Sequence, residues 1–263
     1  MKFSLITVTM GDRPGELARL KASLDVQSYK DFEWIVVNHK EHPEFGCGLS
    51  KARNFGIAHA KGDVLAFPDD DAWYGKDVLL DVAKELDDPQ IDGISFRVVD
   101  ENGACSAGGW MGWGKETISK ATVWHTAVSC SFFVKRSVIG DVRFDDRLGV
   151  GSGTCFGSGE ETDFLLSLVE KGARLKYDGT KRIFHPAVFG NLMIGKGWRY
   201  GNGYGAVLRK HHYPVTRLMW GVFAQLARAA QSFVMLRLRK SVYHLAMSFG
   251  RIAGYVSGVG RAV

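Results

Sequence analysis

Three consecutive aspartates, Asp69-Asp70-Asp71, directly follow the apolar run 64–67, which predicts a buried strand. Adjacent carboxylates repel one another, and they are costly to desolvate at a strand end without a neutralising partner. A divalent cation would remove this conflict, and oxygen ligands suit Mg²⁺ or Mn²⁺, which complete their shells with water and substrate phosphates. The alternative is a solvated acidic turn that caps the following helix.

A second acidic cluster, Glu160, Glu161 and Asp163, opens a predicted helix that ends near Gly172. Carboxylates are favoured at a helix N-terminus by the backbone dipole, so this cluster alone is ordinary. Together the two clusters could separate metal binding from proton abstraction. Sugar transfer from a nucleotide needs both, because the diphosphate leaving group must be neutralised and the acceptor hydroxyl deprotonated.

The elements that must position these carboxylates alternate between strand and helix. This alternation predicts an α/β fold with a Rossmann-like, mostly parallel sheet flanked by helices. Ligands bind such sheets beyond the carboxyl ends of the strands, where Asp69–Asp71 falls. The predicted strands are 3–9, 32–37, 63–67, 94–99, 122–128, 131–134, 174–177 and 182–184, and the predicted helices are 14–24, 49–60, 77–86 and 160–171.

Charge is distributed unevenly along the 263 residues. Residues 1–178 hold 21 Lys and Arg against 28 Asp and Glu, whereas residues 179–263 hold 13 Lys and Arg and no acid. An acid-free, basic segment of this length points to a polyanionic partner or anionic lipid. The four cysteines form no Cys-x-x-Cys pair, which argues against a zinc site or a disulfide framework.

From residue 214 onward, large apolar residues recur at helical spacing and are interrupted by arginine. Arg217, Arg228 and Arg239 are eleven residues apart, which places them on one face of a continuous helix. Trp220 and Phe223 fall on the apolar side. This pattern predicts basic amphipathic helices that bind a membrane surface. The alternative is a helical pair packed on the domain.

As a set, these motifs resemble inverting GT-A glycosyltransferases of glycosyltransferase family 2, over residues 3–190. The matching segments are 4–9, 32–37, 48–56, 60–63, Asp69–Asp71 and 159–165. The resemblance implies a metal, Mn²⁺ or Mg²⁺, on Asp71 and Asp69. It also implies Glu161 as the catalytic base, with Glu160 as the alternative and Asp163 supporting the helix or the acceptor site. Nucleotide-sugar contacts are implied for Thr7, Thr9, Asn38, Arg53, Asp63, Asp69 and Asp70.

The sequence departs from the family pattern at two of these positions. Asn38 stands where an aspartate usually contacts the nucleobase, and an amide can hydrogen-bond uracil only as a neutral group. Glu161 replaces the usual aspartate of the acceptor-side pair, which is why Glu160 stays open as the base.

Further candidates come from the residues themselves. His185 follows a predicted strand and could bind the metal or the diphosphate, or it could be a buried structural histidine. Residues 195–205 predict a flexible Gly-rich loop that closes over the diphosphate with Arg199 or Lys196, or a linker to the tail. Trp110 and Trp113 could form a platform for an acceptor sugar, or anchor their loop.

These patterns predict a catalytic domain at 1–190, with 1–100 binding the nucleotide sugar and 101–190 the acceptor. A flexible loop at 191–213 and a membrane-associating tail at 214–263 follow. The predicted activity is metal-dependent inverting transfer of one sugar, from a UDP-sugar to a lipid-linked saccharide in polysaccharide biosynthesis. The predicted location is peripheral, at the cytoplasmic face of the inner membrane. The alternatives are a sugar nucleotidyltransferase and a nucleic-acid-binding module that uses the basic tail; we expect no nucleic-acid partner.

Overall fold

A computed structural model describes residues 1–46, 48–106, 111–126, 128–187 and 193–259. The chain forms two compact units, the first from residues 1–46, 51–143 and 164–188 and the second from residues 47–50, 144–163 and 189–263. The strands are β1 Phe3–Thr9, β2 Phe32–Asn38, β3 Val64–Ala66, β4 Trp73–Tyr74, β5 Gly93–Val99, β6 Lys115–Ile118, β7 Phe132–Lys135 and β8 Leu175–Phe184. The helices are α1 Pro14–Asp25, α2 Leu49–His59, α3 Val78–Leu86, α4 Val123–Thr126, α5 Arg136–Ile139, α6 Glu160–Glu170, α7 Ile194–Lys210, α8 Val215–Val234 and α9 Leu238–Ser257.

The first unit contains a mixed sheet in the order β2-β1-β3-β7-β5-β8-β4, with β6 added on β8. β1 is parallel to β2 and to β3, and β5 is parallel to β8, whereas β7, β4 and β6 pair in the antiparallel sense. Crossover helices such as α1 and α2 join the parallel strands, as the alternation in the sequence predicts. The predicted α/β fold is confirmed.

Large apolar side chains fill the core of this unit. Phe67, at the end of the third strand, packs against Phe132 and Phe164 at ring-centroid distances of 5.5 and 5.9 Å. On α1, Leu20 and Leu24 are buried, and Pro14 occupies the first turn, where its missing N–H costs nothing. The run 64–67 is fully buried, and the carboxylates that follow it are therefore held by a rigid element.

The register of one short strand determines where the aspartates lie. In β4, Trp73 pairs with Phe184 and Tyr74 with Ile183 of β8. This antiparallel pairing sets the residues just before Trp73 beside those just after Phe184. Asp71 and His185 are consequently neighbours, although they are far apart in the sequence.

One predicted strand is wrong. Residues 122–128 were expected to be extended, but Val123–Thr126 form a helical turn. The Thr122 hydroxyl accepts the backbone N–H of Ser119 at 2.9 Å, and the Thr126 hydroxyl donates to the Thr122 carbonyl at 2.9 Å. Such local side-chain hydrogen bonds compete with strand pairing and favour a turn.

The second unit contains α7, α8 and α9. The predicted flexible loop at 191–213 is wrong from residue 194 onward, because α7 spans Ile194–Lys210; residues 191 and 192 lie outside the described residues. Gly201 and Gly205 in this helix allow α9 to approach so closely that a Cβ at either position would overlap the carbonyl oxygens of Met247 and Arg251. Close helix packing thus offsets the low helix propensity of glycine.

The tail is helical, as predicted, but it is not one continuous helix. The chain breaks between α8 and α9, where Leu236 has a φ of 56°. Arg239 therefore lies on a different helix from Arg217 and Arg228, and the predicted single face of three arginines is wrong. In the described part of the chain, no helix combines the length and apolarity needed to cross a bilayer.

Candidate active site

Asp70 is the most buried of the three aspartates, with its side chain 3% exposed. It accepts hydrogen bonds from the Thr9 hydroxyl at 2.7 Å and from Arg13 Nη2 at 2.5 Å. Burial raises the pKa of Asp70, and the hydrogen bond from Thr9 and the charge of Arg13 oppose this only in part. Asp70 thus ties the aspartate loop to the carboxyl end of β1 and to Arg13.

Asp71 faces two basic side chains. Arg13 Nη1 lies 2.6 Å from its Oδ2, and His185 Nε2 lies 3.2 Å from its Oδ1. Burial acts to raise the pKa of Asp71, but the hydrogen bond and charge of His185, together with Arg13, lower it to about 2. Burial acts to lower the pKa of His185, yet its hydrogen bond to Asp71 raises it. The Asp71 carboxylate is therefore ionised at neutral pH.

Asp69 points to other partners. Its Oδ1 accepts a hydrogen bond from Arg53 Nη2 at 3.1 Å, and its carboxylate accepts the Ser129 hydroxyl at 3.1 and 3.3 Å. Arg53 is only 2% exposed on α2, so it holds Asp69 from inside the unit. The predicted grouping of Asp69 with Asp71 and His185 around one metal is not what the structure shows.

Asp71 and His185 nevertheless suit a divalent cation. His185 Nδ1 donates to the carbonyl oxygen of Pro186 at 2.8 Å, which leaves Nε2, the nitrogen facing Asp71, as the ligating atom of a neutral imidazole. The Asp71 carboxylate suits Mn²⁺ or Mg²⁺, and the His185 imidazole adds one nitrogen ligand. Among the described residues, no three His, Cys, Asp or Glu side chains group closely enough to hold a metal alone. A metal here needs further ligands, such as water or donor phosphates.

Three predicted nucleotide contacts lie on β1 and β2. Thr7 is fully buried in β1, where its hydroxyl accepts the N–H of Trp34 at 3.0 Å, so the prediction that it touches a ligand is wrong. Thr9 supports Asp70 instead of facing outward. Asn38 stands level with Thr9 in the sheet and accepts the N–H of Lys40 at 3.0 Å. Asn38 therefore lies at the carboxyl ends of the parallel strands.

Asp63 is misplaced by the sequence prediction. It precedes β3, at the amino end of the strand, and its Oδ2 accepts the backbone N–H of Lys2 at 2.7 Å. Asp69 follows the carboxyl end of the same strand. At about 3.3 Å per residue, the two carboxylates are on the order of 20 Å apart, so Asp63 does not line the nucleotide site.

In the second unit, Glu160 and Glu161 differ in exposure. Glu160 is 6% exposed and packs against Gly149, whereas Glu161 is partly exposed. Burial raises the pKa of Tyr200 to about 12, and the negative charges of Glu160 and Glu161 contribute to this increase. Among the described residues, none holds the Glu161 carboxylate in a hydrogen bond or ion pair. Glu161 is the more available proton acceptor of the two.

Asp163 is not an acceptor-facing residue. It is 1% exposed, and its carboxylate accepts hydrogen bonds from Lys210 at 2.9 Å and from His211 Nε2 at 2.9 Å. Lys210, whose side chain is 30% exposed, also pairs with Asp145 at 2.9 Å, so α6, α7 and the loop before α6 meet in one network. The prediction that Asp163 contacts the acceptor is wrong, and the alternative, support of the helix, agrees with these contacts.

The remaining candidates are only partly described. Trp113 is 56% exposed, with the Arg97 guanidinium 3.5 Å from its ring centroid, which covers one face of the ring. Trp110 lies outside the described residues. In the second unit, Arg199 lies on α7 and its Nη2 donates to the carbonyl oxygen of Thr154 at 3.2 Å. Lys196 lies 5.2 Å from the Tyr200 ring.

Sequence reasoning missed three residues that hold the aspartates: Arg13, Arg19 and Ser129. Arg13 had a signal, because it follows β1 and directly precedes Pro14 at the start of a helix. Arg19 lies in the second turn of α1. Its Nη2 donates to the carbonyl oxygen of Asp71 at 2.9 Å, and its guanidinium stacks on the Trp73 ring at 4.1 Å. Ser129 carries no sequence signal, because it reaches Asp69 from a separate strand connection.

Residues 26–143 match the family model described as Glycosyl transferase family 2. No curated protein sequence matches the chain. Solved structures do match it. The crystal structure of residues 1–349 of S. aureus TarS in complex with UDP-GlcNAc superposes with a TM-score of 0.60 at 14% identity, covering 99% of this chain and 93% of that one.

A second similar structure is the mannosyltransferase PcManGT from Pyrobaculum calidifontis in complex with GDP-Man and Mn²⁺, with a TM-score of 0.60 at 15% identity, covering 95% of this chain and 87% of that one. In a further S. aureus TarS crystal structure, this chain spans about half the length, 54%, at a TM-score of 0.56 and 15% identity. At these identities the likeness establishes the fold. The chain therefore has the GT-A fold of glycosyltransferases, and its residues 26–143 carry the sequence pattern of glycosyltransferase family 2.

Proposed function

We propose that the protein is a metal-dependent inverting glycosyltransferase that moves one sugar from a nucleotide sugar, a UDP-sugar by preference, to a lipid-linked saccharide. The observation that carries this proposal is the convergence of Asp69–Asp71 with Arg13 and His185 beyond the carboxyl ends of the sheet strands. At the carboxyl ends of the strands, Arg13 and His185 lie within hydrogen-bond distance of the aspartates. A nucleoside diphosphate bound through a cation needs such an edge.

Asp71 and His185 would hold Mn²⁺ or Mg²⁺ in this enzyme. When bound, the cation neutralises the charge that develops on the diphosphate leaving group. Arg13 is well placed to help, because it already lies 2.6 Å from Asp71 and its side chain is about half exposed. Arg199 and Lys196 are further cationic candidates for the diphosphate, although both lie on a helix and not on the loop expected from the sequence.

The donor would be recognised at the same edge. Arg53 fixes Asp69, which is then oriented to accept hydrogen bonds from the ribose hydroxyls. Asn38 offers a neutral amide to the nucleobase, a choice compatible with uracil. The similar structures named above contain UDP-GlcNAc and GDP-Man, which supports a nucleotide-sugar donor without fixing the base.

Glu161 would act as the base that removes the proton of the acceptor hydroxyl. Its partial exposure supports this role over Glu160, which is buried. Trp113, which is 56% exposed, would contact the acceptor sugar. The lipid-linked acceptor, the polysaccharide pathway and the peripheral location at the cytoplasmic face rest on the 13 basic and zero acidic residues in 179–263.

The test is release of nucleoside diphosphate from a panel of UDP- and GDP-sugars, with and without Mn²⁺. Asp71→Asn and Glu161→Gln should each reduce kcat/KM by roughly 10²-fold or more. Asp141→Asn and Glu101→Gln are matched controls, because both carboxylates are exposed. If the first two variants fold and turn over donor at the wild-type rate, the catalytic assignment fails.

A further inference from the structure

Helix α9 exposes its large apolar side chains to solvent and buries its small ones. Ser241, Ser248, Gly250 and Gly254 are buried. A water-soluble helix buries its large apolar stripe and exposes its polar face. The exposed stripe on α9 repeats at steps of three and four residues: Leu238, Val242, Leu245, Phe249, Ile252 and Val256.

The same inversion continues on α8. Met219, Trp220 and Phe223 are 40–70% exposed. The two helices are antiparallel neighbours, since the Ser241 hydroxyl donates to the Ala229 carbonyl and the Ser248 hydroxyl to the Val222 carbonyl. At 100° per residue, this pairing turns Met219 and Phe223 of α8 to the same side as the α9 stripe. The pair therefore presents one continuous apolar face.

The connection between the helices extends this face. Large apolar residues here are 54–85% exposed: Phe233 and Val234 at the end of α8, Met235 and Leu236 in the connection, and Leu238 at the start of α9. Exposed apolar surface of this extent marks an interaction site in a soluble protein. We call the two stripes and this connection the apolar face.

The opposite side of α9 packs as helices do in a bilayer. Gly201 and Gly205 of α7 are four residues apart, as are Gly250 and Gly254 of α9. A Cβ at Gly254 would overlap the carbonyl oxygen of Asn202, and one at Gly250 that of Trp198, so the backbones touch. Small residues at this spacing are typical of helix contacts within lipid, where large aliphatic side chains face outward.

The basic residues around the apolar face indicate an anionic partner. Arg237, Arg239 and Lys240 flank the tip of the apolar face, and residues 179–263 contain no acid. An anionic headgroup layer complements both the apolar face and these cations. A second copy of the chain would bring two basic rims together, which electrostatic repulsion disfavours.

We propose that the α8–α9 hairpin lies in the headgroup region of an anionic bilayer, with the apolar face buried in one leaflet and without spanning it. This inference rests on the proposed function where it places the enzyme at a membrane, but not for its chemistry. The side chains of the apolar face are already exposed in the folded second unit. Membrane binding therefore needs no unfolding of that unit.

The test is flotation of the full chain with vesicles made of equal parts phosphatidylcholine and phosphatidylglycerol. Wild type should float, and the double variant Leu245→Glu/Phe249→Glu should lose at least about tenfold in binding, because charge is costly in the apolar layer. The matched control is Val26→Glu/Val150→Glu, which adds the same charge at exposed apolar positions that are not part of this face. It should float like wild type.

Equal flotation of the Leu245→Glu/Phe249→Glu variant would overturn the proposal. So would a wild-type dimer, measured by analytical ultracentrifugation, that the same variant dissociates, because the face would then bind a second copy. Equal binding to phosphatidylcholine alone would overturn the requirement for anionic lipid. Donor hydrolysis by the wild type is measured in parallel. If the wild type hydrolyses donor but does not float, only the docking is rejected, whereas a wild type that floats without any hydrolysis rejects only the enzyme assignment.

Discussion

His185 Nε2 lies 3.2 Å from Asp71 Oδ1, and strand pairing brings them together. Trp73 pairs with Phe184, so each residue stands at the end of a short antiparallel bridge. The hydrogen bond from His185 Nδ1 to the Pro186 carbonyl orients the ring. A pair fixed by backbone geometry in this way is pre-organised to receive a cation between an imidazole and a carboxylate.

Replacing His185 by glutamine should weaken Mn²⁺ binding by about 10–100-fold, because the amide keeps the size of the side chain but not its ligating nitrogen. The measurement is Mn²⁺ titration followed by electron paramagnetic resonance on the folded protein. His59→Gln is the control, because His59 is exposed and bonds only within its own helix. Identical titration curves for wild type and His185→Gln would remove His185 from the metal site.

Arg13→Met should destabilise the first unit by about 1–3 kcal/mol, because Asp70 would keep its burial but lose a charged partner. Arg13 is about half exposed, so the ion pair itself contributes little and the loss comes from the carboxylate left behind. Urea unfolding measures the free energy, with Arg136→Met as an exposed control.

Saturating Mn²⁺ should recover part of the stability that Arg13→Met loses, since a bound cation stabilises by about 2.7 kcal/mol at a hundred times its Kd. If Mn²⁺ raises the midpoint of Arg13→Met no more than that of a His185→Gln variant, the cation does not bind beside these aspartates.

The position of Asp69–Asp71 at the carboxyl ends of the strands could be predicted, because each inference used only neighbouring residues. The apolar run 64–67 marked a strand, Pro14 marked a helix start, and alternation placed the aspartates at the carboxyl ends. The prediction for Asp63 was wrong because this residue precedes β3. It therefore lies at the amino end of the strand, opposite the carboxyl end where the aspartates are. The sequence already showed that Asp63 precedes the strand, but the residue was assigned to the nucleotide site because of the family resemblance.

Contacts between distant segments were not predictable from one sequence. Asp163 looked like a helix-opening carboxylate, and only the fold shows that Lys210 and His211 surround it. The glycines of 195–205 looked like a loop because glycine disfavours helices in isolation. Their spacing of four residues was the signal for a helix that packs closely on another, and it was not used.

Asp163→Asn should lower the free energy of unfolding of the second unit by about 1–3 kcal/mol, since it removes one of the two anions that pair with the partly exposed Lys210 ammonium. The double variant Asp163→Asn/Lys210→Met should recover much of this loss. Calorimetry of the four proteins in the cycle gives the coupling energy. A coupling near zero would mean that Asp163 acts through contacts other than Lys210.

Acid should weaken the same network through Asp145. Burial acts to raise the pKa of Asp145, but hydrogen bonds from Arg147 and Lys210 hold it well below its usual value. A depressed carboxyl pKa contributes stability that is fully present above the unfolded-state pKa, near 4, and is lost as the pH falls below it. Thermal unfolding between pH 7 and pH 3 should show this loss, and Asp145→Asn should reduce the pH dependence.

Gly254→Ala should destabilise the second unit by about 1–3 kcal/mol, because the new Cβ would overlap the Asn202 carbonyl oxygen and force α7 and α9 apart. Gly195→Ala is the matched control on α7, since no atom lies within 4 Å of its Cβ position. Alanine is the better helix former, so this control should be neutral or stabilising by up to about 1 kcal/mol. Thermal denaturation of both variants separates the two effects: helix propensity acts at both glycines, whereas backbone contact acts only at Gly254. If both variants gain stability, the close approach of α7 and α9 is absent in solution.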